Sequence, residues 1–296
     1  MTVVTVDCCP MCGTDDRRIL FEDPPHTVMR CGACTMVWVT PRLSGEALRH
    51  VYDEGYWSSD APRSKGYADY RRDERLYLKT FRKRLAFVGP HLGLPGRLLD
   101  VGCAAGFFMQ AASEAGWQVD GVELSPEISA YARDRFGFED IHVGTLDTAP
   151  VEPGSFDVVT MWDVVEHVPD PQSLLRQAHV LLRPDGRLVI STQNVDSPFA
   201  KLLGRRWHHY KHDEHLYHFN HATIRQVHVD AGFEVTHLTP RLAGKYVSVS
   251  FIAERSTRIH PAVGKALSPF TRLHRANVYV NFRDEMIVVS QRVEGS

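Results

Sequence analysis

Five of the six cysteines fall within the first 34 residues, and four of them, Cys9, Cys12, Cys31 and Cys34, form two C-x2-C pairs separated by 18 residues. Each pair can aim two sulfurs at one point, and Zn²⁺ favours four such ligands in a tetrahedron. Four thiolates leave no open coordination position, so the spacing predicts a structural zinc and not a catalytic one. About 40 residues bury too little surface to fold unaided, and metal binding would supply the missing free energy. Two disulfides or free thiols are the alternative. The amino terminus, MTVVTVDCCPMCG, lacks the basic and apolar regions of an export signal, which disfavours disulfides. Cys8 can replace Cys9 as a ligand, although C-x3-C fits the knuckle less well.

The second chemical feature is RLLDVGCAAGFFMQ, residues 97–110. An apolar strand passes through Gly102 and Gly106 into a helix, with Ala104 in the middle slot of the G-x-G-x-x-G pattern and no third glycine. The next strand ends in Glu123, 23 residues after Asp100. A carboxylate there can accept both ribose hydroxyls of a nucleoside. NAD sites and S-adenosylmethionine (SAM) sites share this arrangement, but they differ in phosphate. A pyrophosphate needs the closely approaching backbone of the glycine trio, whereas a phosphate-free sulfonium nucleoside tolerates Ala104. A G-x-x-x-x-G-K-[ST] run for a nucleoside triphosphate is also missing.

The elements that must position these groups follow from hydrophobic periodicity. TMVWVTPRL reads as a strand ending at Pro41, and residues 44–88 read as helical around a loop, SSDAPRSKG. From residue 97, strands alternate with helices through RLVISTQ, which predicts an α/β fold with a doubly wound, mostly parallel sheet. NVDSPFAKLLGRRWHHYKHDEHLYHFN then reads as a long irregular stretch dense in histidine and aromatics, the kind of segment that carries function. HATIRQVHVDAGF is a helix, EVTHLTP a strand and DEMIVVSQRV a final strand. Residues 241–280 carry no clear assignment. The expected organisation is a zinc ribbon over 1–43, a helical cap or lid over 44–90 and a catalytic domain over 91–296.

Composition narrows the partners. The chain has 296 residues, 43% hydrophobic and 24% charged, with a formal charge of −2. That balance gives no global reason for a nucleic-acid or anionic-membrane partner. With no apolar run near the ~18 residues of a bilayer span, no membrane association and a cytoplasmic location are expected.

LLDVGCAAG, VDGVELS and FDVVTMWDVVEHVPDP, in this order and spacing, resemble the class I SAM-dependent methyltransferases. The likeness is closest to the group that includes ubiquinone-biosynthesis O-methyltransferases and enzymes that methylate sugars or natural products. It covers about residues 90–240, and members of the group often carry an amino-terminal cysteine knuckle pair. Ala104 departs from the family's glycine and should narrow the cofactor groove slightly. The resemblance implies a seven-stranded Rossmann-like sheet and SAM as cofactor. It places the Gly102–Gly106 backbone against SAM, with Asp100 steadying the turn and Glu123 on the ribose. Leu124, Thr145 and Leu146 would flank the adenine, with Asp147 near its amino group. Trp162 and Asp163 would lie near the methionine moiety. Gly102 and Gly106 read alternatively as plain turn residues, and Leu146 as core.

Methyl transfer is an in-line displacement that chiefly needs alignment, and a hydroxyl acceptor must also lose a proton. Histidine is the natural acceptor. His215 and His218 in the irregular stretch, and His167 in D-V-V-E-H, are the expected catalytic groups, although His167 would equally serve as a helix-start hydrogen bonder. Trp207, Tyr210 and Tyr56 are expected to shape the substrate site. Tyr52, Tyr56, Trp57, Tyr67 and Tyr70 would form the lid, or simply pack one helix on another. Asp163, Glu166, His167 and His215 also resemble the two acids and two histidines with which small-RNA 2'-O-methyltransferases hold Mg²⁺.

The leading function is O-methylation of a hydroxyl on a small molecule, a sugar or secondary metabolite. An RNA methyltransferase is the alternative, because some begin with a four-cysteine zinc module and residues 41–90 hold eleven Lys/Arg against seven Asp/Glu. A modest excess of this kind is ordinary for a solvated helix face. A SAM-binding protein without catalysis, and C-methylation of nucleotide-linked ketosugars, are the remaining readings.

Overall fold

The structure is a computed structural model, described here for residues 2–51, 70–249 and 276–293. Tyr52, Tyr56, Trp57 and Tyr67, expected in a lid, lie outside the described residues.

The amino-terminal module begins with β1 (Val3–Val4), β2 (Arg17–Asp23), β3 (His26–Cys31), β4 (Val37–Thr40) and β5 (Arg42–Leu43). Helices α1 (Gly45–Val51) and α2 (Tyr70–Val88) follow. The alternating segment forms β6 (Arg97–Val101), α3 (Phe107–Glu114), β7 (Gln118–Glu123), α4 (Pro126–Phe136), β8 (Ile141–Val143), β9 (Phe156–Trp162), α5 (Pro171–Leu181) and β10 (Leu182–Gln193). Then come α6 (Pro198–Leu203), β11 (Tyr217–His218), α7 (His221–Asp230), β12 (Phe233–Thr239), β13 (Lys245–Ser248), β14 (Asn277–Val280) and β15 (Glu285–Arg292).

Local signals fix these boundaries. In α4, the Ser125 side chain accepts from the Ile128 N–H, Pro126 occupies the first turn, and Gly137 closes the helix at φ 77°. The RPDG turn interrupts β10 as a register break between Leu182 and Arg187. The stretch expected to be irregular contains α6, capped by Ser197 with Pro198 at its start. Residues 245–248 and 277–280, unassigned from sequence, form the antiparallel pair β13–β14.

Seven strands form the central sheet in the order β12-β15-β10-β9-β6-β7-β8. Neighbours from β10 to β8 are parallel, and β15 alone runs against the rest. Leu98, Leu99, Val158, Val159, Val189 and Ile190 are fully buried, as expected of strands covered on both faces. The carboxyl ends of β7, β6, β9 and β10 therefore lie side by side on one edge of the sheet.

The cysteine module docks on this core. Its sheet runs β11-β4-β3-β2, and β11 comes from the segment after β10, pairing Tyr217 with Trp38 and His218 with Val37. Cys9, Met29, Met36 and Trp38 share one apolar cluster with Leu216, Phe219 and Val227.

Candidate active site

β6 ends in a turn with three left-handed residues, Gly102 (φ 72°), Ala104 (φ 46°) and Gly106 (φ 75°). A Cβ on Gly102 would stand 2.6 Å from Val164 Cγ2, so only glycine fits there. Ala104 holds the glycine conformation at a cost of roughly 1–2 kcal/mol. Its N–H donates to Glu123 Oε2 at 2.9 Å.

Glu123 terminates β7 and is buried, with Oε1 accepting from the Ser125 N–H at 2.9 Å. Burial pushes its carboxyl up from the usual range, and the backbone N–H groups of Ser125, Ala104 and Leu124 oppose that shift. Asp100 accepts from Thr160 Oγ1 at 2.6 Å and so ties β6 to β9. Burial raises it to about 7, against the Thr160 bond and with the help of Glu123. Leu124 and Thr145 are half-buried and Asp147 is exposed. Leu146 belongs to the main apolar cluster, so its position is that of a core residue.

Trp162, at the end of β9, is buried against Phe108 (4.8 Å between ring centroids) and Phe81 (5.7 Å). Its Nε1 has no hydrogen-bond partner among the described residues. An orphan donor of this kind fits a bound acceptor group. Asp163 follows at φ 56° with an exposed side chain. It is latched to β10, since Ser191 Oγ donates to Asp163 Oδ1 at 2.6 Å and accepts from the Asp163 N–H at 3.1 Å.

His167 and His215 meet edge to face, with ring centroids 4.6 Å apart. Glu166 helps to fix them: its carboxylate accepts from Thr192 Oγ1 at 3.0 Å and its carbonyl accepts from the Leu216 N–H at 2.9 Å. The donor atoms of Glu166, His167 and His215 all lie within 4.8 Å of one another. Asp163, the fourth expected member of a cation site, is not in that group. Burial, aided by Lys211, lowers His167 to about 4. Burial and the neighbouring His167 and His209 hold His215 well below 6.5. Burial and the Asp163 charge hold Glu166 well above the carboxylate range. His215 is thus a neutral imidazole whose Nδ1 is buried without a hydrogen-bond partner among the described residues.

A family model described as a methyltransferase domain matches residues 70–238. The chain belongs to the methyltransferase domain family. The ubiquinone biosynthesis O-methyltransferase of Xanthomonas campestris pv. campestris is 38% identical, over 43% of this methyltransferase and 61% of that protein. Its counterpart in Xanthomonas oryzae pv. oryzae is 39% identical with the same coverage. The chain thus spans about three-fifths of the length of these curated relatives, 61%. Magnesium protoporphyrin IX methyltransferase from Synechocystis PCC 6803, solved with bound SAH, shares the fold at a TM-score of 0.53 and 14% identity, covering 84% of this chain and all of that one.

Other residues of the methyltransferase expected at the site pack in the seam between module and core. Trp207 is 2% exposed and packs with Val28 and Val195, because its indole is apolar enough to fill the seam between module and core. It fills that seam rather than a surface open to solvent. Tyr210 packs on Phe21 and His218 at 4.8 Å each. His218 is fully buried in the same seam, its Nδ1 3.4 Å from Gln193 Nε2, and burial lowers it to about 3. Its Nε2, like His215 Nδ1, is buried without a hydrogen-bond partner among the described residues. His209, Asp284 and Glu285 are not singled out from sequence: His209 stacks 5.9 Å from His215, and its Nε2 lies 3.7 Å from Asp284 Oδ2 and 3.5 Å from Glu285 Oε1. The signal for them is spread over 75 residues of chain, and only the sheet brings it together.

The cysteines converge. Cys9 and Cys34 sulfurs are 3.5 Å apart and those of Cys12 and Cys31 are 3.6 Å apart, with all four within 4.8 Å. Metal–sulfur bonds of about 2.3 Å give a tetrahedron with edges of about 3.8 Å, so the four thiols fit a zinc ion with little movement. Cys8 is exposed and outside the group. Among the described residues, no helix is long and apolar enough to cross a membrane.

Proposed function

We propose that this methyltransferase transfers the methyl group of SAM to a hydroxyl of a small molecule, a sugar or secondary metabolite, with His215 as general base. Bound SAM would supply a methyl carbon already activated by its sulfonium. Glu123 holds the ribose through its two oxygens, each of which keeps a lone pair beyond the one engaged by a backbone N–H. The Gly102–Gly106 backbone lies along the cofactor, Trp162 offers its unpaired Nε1, and Leu124 and Thr145 border the base. His215, neutral at physiological pH, takes the hydroxyl proton at Nδ1, and His167 holds the ring in place. The observation that carries this reading is the Nδ1 of buried His215, which has no hydrogen-bond partner among the described residues and stands against His167. The names of the relatives, O-methyltransferases of a small molecule, support the acceptor class. The four cysteines hold a structural zinc, which clamps the module on the core.

A second reading has one observation in its favour. The clustered donors of Glu166, His167 and His215 would take a divalent cation that orients a diol acceptor. Two imidazoles and one carboxylate suit a zinc- or manganese-class ion better than Mg²⁺.

Both readings are tested by transfer of labelled methyl from SAM to a panel of catechols and sugars. General-base action requires H215A to lose at least a hundredfold in kcat with cofactor affinity unchanged, and activity to survive chelation that leaves the cysteine site filled. Loss of activity on such chelation transfers the case to the cation reading, and unchanged kcat in H215A removes both.

A further inference from the structure

A separate set of donors stands on the other side of His209. His208 and His209 follow α6, and Asp284 leads into β15. Each Nε2 lies 3.7 Å from Asp284 Oδ2, and the ligand atoms of all three are within 4.8 Å of one another. The imidazoles are 4.2 Å apart and tilted by 40°, so both edges address one carboxylate oxygen. These separations exceed a hydrogen bond, and His209 Nε2 is buried without a hydrogen-bond partner among the described residues. Glu285 Oε1 is a further 3.5 Å from the same nitrogen.

Asp284 is braced from behind. Its Oδ2 accepts from Trp207 Nε1 at 2.8 Å, and its carbonyl accepts from the Asn194 N–H at 2.7 Å. The residue is 4% exposed, and among the described residues it pairs with no Lys or Arg. A buried carboxylate without a cation is costly, and an indole donor fixing a carboxylate oxygen is how outer groups orient metal ligands.

We propose that His208, His209 and Asp284 bind one divalent transition-metal ion of the zinc class. Imidazole nitrogens select Zn²⁺, Co²⁺ or Ni²⁺ over Mg²⁺ and Ca²⁺. Nitrogen and oxygen ligands at about 2.0–2.2 Å around a tetrahedral ion stand about 3.4 Å apart, so each imidazole need close on Asp284 Oδ2 by only a few tenths of an ångström. The ion fastens the segment between α6 and β11 to β15, and with it His209 beside His215. It shares no ligand with Glu166, His167 or His215.

The test is calorimetric titration of the full chain with Zn²⁺ after the cysteine site is saturated, in wild type, H208A and H215A. His208 is half exposed, 52% at the side chain, so H208A is expected to fold, as circular dichroism will check. The expected result is an ion bound by wild type and H215A that H208A binds at least tenfold more weakly. Superimposable wild-type and H208A titrations overturn the proposal, and so does an ion lost in H215A but kept in H208A.

Discussion

His212 Nε2 lies 3.1 Å from Asp23 Oδ2, joining the histidine-bearing segment after α6 to the β2–β3 hairpin of the cysteine module. The neighbouring His26 reaches Asp213 at 3.3 Å. The Val39 N–H donates to the Leu216 carbonyl at 3.1 Å, one residue from His215. The module is therefore bonded directly to the segment that carries His215.

Its loss should be felt at the histidines. With C31S, or after the cysteine metal is stripped, amide exchange over residues 212–218 is expected to rise by at least tenfold. Residues 98–101 at the sheet centre should stay protected. Equal protection of both segments in C31S would separate the module from the site.

The glycine turn makes two opposite expectations. G102A meets Val164 Cγ2 at 2.6 Å and must hold φ 72°, so overpacking and a left-handed alanine together should cost about 2–4 kcal/mol in urea unfolding. A104G relaxes a left-handed alanine but adds freedom to the unfolded chain, about 0.4–1 kcal/mol. The two nearly cancel, so A104G should change stability by less than about 1 kcal/mol and keep cofactor affinity.

His228 gives a pH signature outside the site. It is fully buried in α7, its Nδ1 2.6 Å from the Ile224 carbonyl, and burial lowers it from 6.5 to about 4. The unfolded chain binds this proton first as pH falls, so the stabilisation is complete above about pH 6.5 and is lost toward pH 4. Replacing His228 by Leu should shrink the stability difference between pH 7 and pH 5 by about 2 kcal/mol. An unchanged difference would place the depressed group elsewhere.

What the sequence disclosed follows the range of the interactions. α4 was readable because Ser125, Pro126 and Gly137 act within one turn of the helix ends. The cysteine pairs were readable because ligand spacing is local. Helix α6 was missed although Ser197 and Pro198 signal its start, since its six residues are too few to show a period. β11 is two residues long, and nothing local announces that Tyr217 pairs with Trp38. Trp207 looked like a substrate residue because aromatics in an irregular stretch suit that role, and only tertiary packing shows it filling a seam. His209 and Asp284 meet only after β15 is inserted between β10 and β12.

The account rests on Glu123 gripping a phosphate-free nucleoside at the end of β7. Titration calorimetry with S-adenosylhomocysteine tests it most directly. Saturable heat is expected from wild type and from H215A, and E123A should weaken binding by at least tenfold, about 1.4 kcal/mol. No heat from the folded wild-type chain with SAM or its demethylated product, alongside clear heat with NAD, would contradict the account.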